Sequence, residues 1–397
     1  MDTSRSNTNP DTDRPVVRAD PAAVALSKAW HLRLRLRRTP VCLALVLCTQ
    51  FVLGCAAVAQ SCPSRHTASP QSDGACGFIN APNPHALPLR DNWSIWTRFL
   101  GQKPEGTVPT DPIPVRRLDR ATLDALDPTA VHIIRLGHSS HLLKLRGRYW
   151  LIDPVFSERA SPVSFAGPKR FHPTPLSLDE LPPIEGLILS HDHYDHLDKL
   201  TIETLKQRVQ RHYVPLGVGA RLVGMGVPAE RIEEFDWWQS HVAGDVTLTA
   251  TPAQHFSGRT PWDRNSTLWS SWVITSGDAR IYFSGDTGYS DSFRQIGERF
   301  GGFDIALMEN GAYDAYWPSL HLTPEQTVQA TVDLRAKLLY LVHNSTFDLA
   351  LHGWRHPMDS VLALARQKSL PLATPEIGEV LTLGQPRDNK AWWQALR

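Results

Sequence analysis

Cysteine is missing from most of the chain: of 397 residues five are cysteine, at 42, 48, 55, 62 and 76, and none follows Cys76. Beyond that point no thiolate can serve as nucleophile or metal ligand, so any metal site there has to be built from histidine and carboxylate. An excess of charge is missing too. Lys plus Arg number 41 and Asp plus Glu 40, a formal net charge of +1, which excludes the basic footprint of a nucleic-acid-binding chain. No glycine-rich phosphate loop follows the first predicted strand, and no internal repeat is found. Nucleotide binding of the P-loop or dinucleotide type is therefore not expected. What is present is ordinary globular composition, 42% hydrophobic and 20% charged, enough for one large domain or two small ones.

The cysteine-bearing end has its own pattern. Lys28, Arg33, Arg35, Arg37 and Arg38 occur without an acidic residue between 28 and 40, and the chain then turns apolar from Val41 to Cys48 and again from Phe51 to Cys55. A basic stretch leading into a short apolar core predicts an export signal over 1–54. Val52-Leu53-Gly54-Cys55 resembles a bacterial lipobox; the expectation is a protein lipid-anchored at Cys55, in the periplasm or outer membrane. The alternative is a retained membrane anchor, because 41–59 is 19 residues without a charge. With Cys42 and Cys48 removed and Cys55 acylated, Cys62 and Cys76 would be left to pair, which the intact mass before and after reduction tests. Residues 55–90, rich in Ala, Ser, Pro and Asn, read as a tether or else as a wrap over the domain surface. The remainder, 91–397, reads as the functional domain.

From 131 onward short apolar runs are bounded by Gly, Asp or Pro: 131–136, 141–145, 149–155, 186–190, 246–253, 270–276, 280–284, 304–309, 338–342 and 379–383. Helical patterns fall near 197–211, 290–300, 324–335 and 358–368. Many strands with a few interleaved helices predict an α+β fold of two packed sheets covered by helices.

One strand ends in unusual chemistry. After Leu187-Ile-Leu-Ser come His191, Asp192, His193, Asp195, His196 and Asp198. So many imidazoles and carboxylates in one short stretch are costly to fold around unless something binds them. His191 and His193, two apart in an extended segment, project to the same side. Asp195 and His196 come from the turn that enters the next helix and can face a second centre, so two adjacent metal centres fit.

The run His191-x-His193-x-Asp195-His196 resembles the HxHxDH signature of the metallo-β-lactamase superfamily. That resemblance implies an αββα sandwich and carries over further positions in order: His255 in Pro252-Ala-Gln-His, Asp286 in Gly285-Asp-Thr-Gly, and His343 in Leu341-Val-His. It implies that His191, His193 and His255 hold one zinc, that Asp195, His196 and His343 hold another, and that Asp286 bridges the two. The runs Gly137-His-Ser-Ser, Leu151-Ile-Asp-Pro-Val-Phe-Ser, Gly167-Pro-Lys-Arg-Phe, Asp236-Trp-Trp and Asn310-Gly-Ala-Tyr are similar to the branch of N-acylphosphatidylethanolamine-hydrolysing phospholipase D and its bacterial relatives. The implied activity is hydrolysis of a phosphodiester such as a phospholipid, through a hydroxide shared by two zinc ions. Asp195 would also orient that hydroxide, and His321, in Leu320-His-Leu-Thr-Pro, would position substrate or protonate the leaving group. His138 and Asp153 are expected behind the ligands, holding the imidazoles in place. The chain departs from the family at Asn344-Ser345, where Trp-Gly is common. The alternatives are a lactone or other ester hydrolase of the same fold and a lipid-anchored metal-binding protein without catalysis. His141, His172, His212, His241, His352 and His356 lack ligand spacing. The 13 tryptophans are expected mainly in the core, some at an acyl-binding entrance.

Overall fold

Strands whose two faces are both covered read as unbroken apolar runs, and the strands of this protein form that way. The computed structural model describes residues 69–70, 77–85, 103–387 and 389–397; all lie within the unit Ser61–Arg397. The signal or anchor over 1–54 and all five cysteines lie outside the described residues.

Among the described residues, fourteen strands make two sheets of seven. The first contains β1 (His132–Gly137), β2 (Ser140–Leu145), β3 (Arg148–Ile152), β4 (Ile184–Ile188), β5 (Val209–Pro215), β6 (Ile232–Phe235) and β14 (Val380–Thr382). Its order is β14-β1-β2-β3-β4-β5-β6. The second contains β7 (Ser240–Ala243), β8 (Val246–Thr251), β9 (Ser271–Ser276), β10 (Ala279–Phe283), β11 (Ile305–Glu309), β12 (Leu339–Val342) and β13 (Leu372–Ala373), in the order β13-β12-β11-β10-β9-β8-β7. Each sheet is antiparallel in one half and parallel in the other: β3 to β6 run parallel in the first, β10 to β13 in the second.

Side-chain alternation sorts the strands into layers. Ile133, Leu143, Trp150, Ile152 and Ile188 of the first sheet meet Leu248, Trp272, Ile274, Phe283, Leu307 and Tyr340 of the second, forming the central core. Their neighbours point outward. Ile134, Leu142, Leu151 and Leu187 pack under α2 (Lys199–Leu205) and α3 (Val218–Gly224), with Leu123 of α1 (Arg120–Asp124) joining them. On the other side Val273, Tyr282, Met308 and Leu341 pack under α4 (Ser292–Phe300), α5 (Pro324–Asp333) and α6 (His356–Gln367). The result is the expected αββα sandwich. Most described tryptophans are buried in it, while Trp262 is 72% exposed.

One expected element is corrected. The helix read over 197–211 stops at Leu205, and Val209–Pro215 is the strand β5, buried between β4 and β6. Gln210 and Arg211 are exposed at its start, which breaks the apolar run and lets the polar helix pattern appear to continue. Residues 77–85, within the stretch read as a tether or wrap, lie on the domain. Phe78 is buried against Trp237, Leu268 and Trp269, and the Asn80 side chain donates to the carbonyl of His255 at 2.8 Å.

Candidate metal centre

The site gathers where strands of both sheets end. From the first sheet come His138 after β1, Asp153 after β3 and His191, His193, Asp195 and His196 after β4; from the second come His255 after β8, Asp286 after β10, Glu309 closing β11 and His343 after β12. Several of these residues need backbone that strands do not supply: His138, Asp153 and His343 have φ of 50°, 38° and 61°. Such left-handed non-glycine residues persist only where their surroundings fix them, and they gather at functional sites. Gly285, beside Asp286, has φ +55°, and a Cβ there would come 2.7 Å from Ser190 Cβ. Only glycine suits that turn.

Two clusters result. In the first, His193 Nδ1 lies 2.9 Å from His191 Nε2 and 3.3 Å from His255 Nε2. The outer nitrogens are already spoken for: His191 Nδ1 donates to Ser190 Oγ at 3.0 Å, and His255 Nδ1 to the carbonyl of Leu320 at 3.0 Å. Both Nε2 atoms are therefore lone pairs, and three nitrogens converge with at most one proton among them. Burial, with neighbouring imidazoles adding to it at His191, holds His191 and His255 well below the usual histidine range, so they stay neutral.

The second cluster is rich in carboxylate. Asp195 Oδ2 lies 3.0 Å from His138 Nε2, 3.3 Å from His343 Nε2 and 3.5 Å from His196 Nε2. Burial opposes the charge of Asp195 and Asp286, yet the surrounding imidazoles hold both carboxyls well below their usual range. Conversely, burial opposes protonation of His343, and Asp286 and Asp195 overcome it, raising it to about 10. His196 is raised in the same way by Asp286, Asp195 and Asp153. Asp286 reaches both clusters: its oxygens are 3.1 Å from His196 Nε2 and His343 Nε2, and 3.8 Å from His191 Nε2 and His255 Nε2.

These residues fit a cation. His196 Nε2 and Asp286 Oδ1 are buried 3.1 Å apart, and neither makes a well-formed hydrogen bond; a cation between them would satisfy both. Nitrogen and carboxylate donors without sulfur suit a divalent metal of the zinc, iron or manganese kind. Each cluster brings together four groups able to share an ion, His191, His193, His255 and Asp286 in one, His138, Asp195, His196 and His343 in the other.

Asp153 orients imidazoles of both clusters. Its Oδ2 accepts from His196 Nδ1 at 2.6 Å and from Ser190 Oγ at 2.5 Å, and that hydroxyl in turn accepts from His191 Nδ1. His138 contacts the carboxylate of Asp195 instead of an imidazole nitrogen. Sequence reasoning missed Ser190 and Glu309. Glu309 is fully buried, and its Oε2 accepts from His321 Nδ1 at 2.8 Å. The available signal was a carboxylate closing the apolar run Ile305-Ala-Leu-Met. His321 itself stands over both clusters, its ring 5.1 Å from that of His255 and 5.3 Å from that of His343. The histidines without ligand spacing sit elsewhere: His141 bonds Tyr340, His172 bonds Thr346, and His352 stacks on Tyr313.

A family model for the β-lactamase superfamily domain matches residues 148–344. The uncharacterized protein Rv0906 of Mycobacterium tuberculosis is 40% identical over 306 residues, 76% of this chain and 80% of that one. N-acyl-phosphatidylethanolamine-hydrolyzing phospholipase D 1 of Caenorhabditis elegans is 35% identical over 263 residues, 62% of this chain and 74% of that one. The chain belongs to the metallo-β-lactamase superfamily. It is a metal-dependent hydrolase of that fold, related to the phospholipases D that hydrolyse N-acylphosphatidylethanolamine. Among solved structures, the metallo hydrolase Igni18 of Ignicoccus hospitalis shares the fold, with a TM-score of 0.51 at 19% identity, covering 65% of this chain and all of that one. The outer membrane protein RomA of Klebsiella pneumoniae is 42% identical over 119 residues, 28% of this chain and 89% of that one. Among the described residues of this superfamily member, no helix is long and apolar enough to cross a membrane.

A cleft of about 1140 Å³ adjoins the centre. It is lined by Phe171, Phe256 and Leu349 together with the cations Lys169, Arg170 and Arg264. The Phe256 ring links it to the metal cluster, 4.5 Å from that of His193 and 4.8 Å from that of His255.

Proposed function

We propose that this protein hydrolyses a phosphodiester, a phospholipid resembling N-acylphosphatidylethanolamine, with two zinc ions. His191, His193 and His255 would hold one, Asp195, His196 and His343 the other, and Asp286 both. Zinc bound there would lower the pKa of water from about 15.7 towards neutrality and offset charge growing on the phosphoryl oxygens.

The protein's own residues do the rest. Asp195, steadied by His138, orients the attacking water, whose proton leaves to bulk solvent. The water oxygen forms the new P–O bond. The P–O bond to the leaving alcohol breaks with its electron pair on that oxygen, and His321 Nε2 supplies the proton that completes the alcohol. The cleft takes the acyl chains on Phe171, Phe256 and Leu349, while Lys169, Arg170 and Arg264 attract the anionic phosphate region. The observation that carries this reading is the joining, through Phe256, of a carboxylate-bridged imidazole centre to an apolar, cationic cleft. The relationship to the Caenorhabditis elegans enzyme supports the same substrate class.

The test is incubation of the zinc-loaded protein with N-acylphosphatidylethanolamine in mixed micelles. Release of N-acylethanolamine and phosphatidic acid is expected. Release of free fatty acid, or hydrolysis of lactones alone, would replace the phosphodiesterase reading with carboxylic-ester hydrolysis.

A further inference from the structure

Glu309 is a buried carboxylate that the proposed chemistry does not use. Burying a carboxylate is costly unless donors surround it, and here they come from separate segments. Oε2 accepts from His321 Nδ1 at 2.8 Å, and Oε1 accepts from the backbone N–H groups of Leu322 at 2.7 Å and Thr287 at 3.4 Å. His343 Nδ1 stands 4.0 Å from Oε2 and has no hydrogen-bond partner. One side chain thus joins the turn carrying Asp286, the entry to α5 and the last imidazole of the second cluster. An apolar residue would fill the same space without needing these donors.

We infer that Glu309 is the positioning residue for His321. By accepting the Nδ1 proton it fixes which imidazole nitrogen is left for substrate, and it holds the ring between His255 and His343. The α5 entry supports this aim from the other side: Thr323 and Gln326 form a capping box with Pro324 in the first turn, so the chain just after His321 is fixed. His193, also partly open, is turned into the first cluster, so His321, with 12% of its side chain exposed, is the open imidazole outside both clusters. It is therefore the one placed to meet a leaving group.

The inference rests on the phosphodiesterase reading, and its test separates the two. Full-length wild type, Glu309→Gln, His321→Ala and the double variant are compared on N-acylphosphatidylethanolamine, whose alcohol leaves poorly, and on bis(p-nitrophenyl) phosphate, whose phenolate leaves unaided. Metal content and the ¹⁵N imidazole resonances of His321 are measured alongside. Glu309→Gln is expected to keep its metal, to lose about 10–100-fold in kcat on the lipid and little on the nitrophenyl ester, and to add nothing to His321→Ala. In wild type the His321 Nδ1 resonance should be that of a protonated nitrogen, and Glu309→Gln should move it. Should Glu309→Gln fail to fold, Glu309→Asp, which withdraws the carboxylate by one methylene, is expected to give the same pattern. Equal kcat on the lipid, losses that multiply in the double variant, or an unmoved His321 resonance would overturn the role of Glu309. A wild type inert on both esters would overturn the phosphodiesterase reading, while the resonance still decides for or against the positioning of His321.

Discussion

Asp153 shows how far one side chain can order a candidate metal site. It takes the Nδ1 proton of His196 directly and that of His191 through Ser190, so both rings are held with Nε2 turned into the clusters. It also accepts from the Ser190 backbone N–H at 2.7 Å. Asp153→Asn would keep the volume but turn one acceptor into a donor that faces donors. Metal affinity is expected to fall by about 10–100-fold, read as the metal retained on titration with a competing chelator. Retention equal to wild type would show that the imidazoles orient themselves. At this scale much of the site was legible. The imidazoles of 191–196 share one short segment, and His255, Asp286 and His343 each close an apolar run. Glu309 and Ser190 were not legible, because a carboxylate or hydroxyl at a strand end acquires its partner only from a segment distant in sequence: Glu309 meets His321, and the Ser190–Asp153 pair spans two strands.

At the scale of elements, legibility followed burial. Strands covered on both faces, such as β10 and β11, announced themselves as continuous apolar runs. β6 and β7 did not. They form the outer edges of their sheets and are short and half-exposed, with Glu233, Glu234 and His241 among their residues. Polar, short edges guard against pairing with other chains, and the same property hides them from an apolar count. Helix α5 was legible from its start, since Thr323 and Pro324 mark a cap. Which strands pair, and that the parallel halves of two sheets bring β4, β10, β11 and β12 to a common site, depends on long-range contacts that no local pattern encodes.

For the whole molecule, burial of histidine away from the metal clusters sets an acid limit. Burial is the main cause lowering His141 and His172 to about 3 and His212 to about 4. An unfolded chain would protonate all three near 6.5. Because the native pKa values are depressed, the stabilisation is present above that value and is lost as pH falls from about 6.5 through 4 and 3. With three protons bound only by the unfolded chain, stability should change by up to about 4 kcal/mol per pH unit near pH 5. The guanidinium midpoint is expected to drop steeply between pH 7 and 5; an unchanged midpoint would show that these histidines protonate in place.

In the proposed function, imidazoles and carboxylates from both sheets form one two-metal hydrolytic centre, and metal content measured together with turnover decides for or against it. Wild type is expected to bind two zinc ions per chain and to hydrolyse bis(p-nitrophenyl) phosphate only when loaded. His191→Ala and Asp286→Ala should each lose metal and at least 10²-fold in kcat. Full turnover by the chelated protein, or by either variant, would contradict the account.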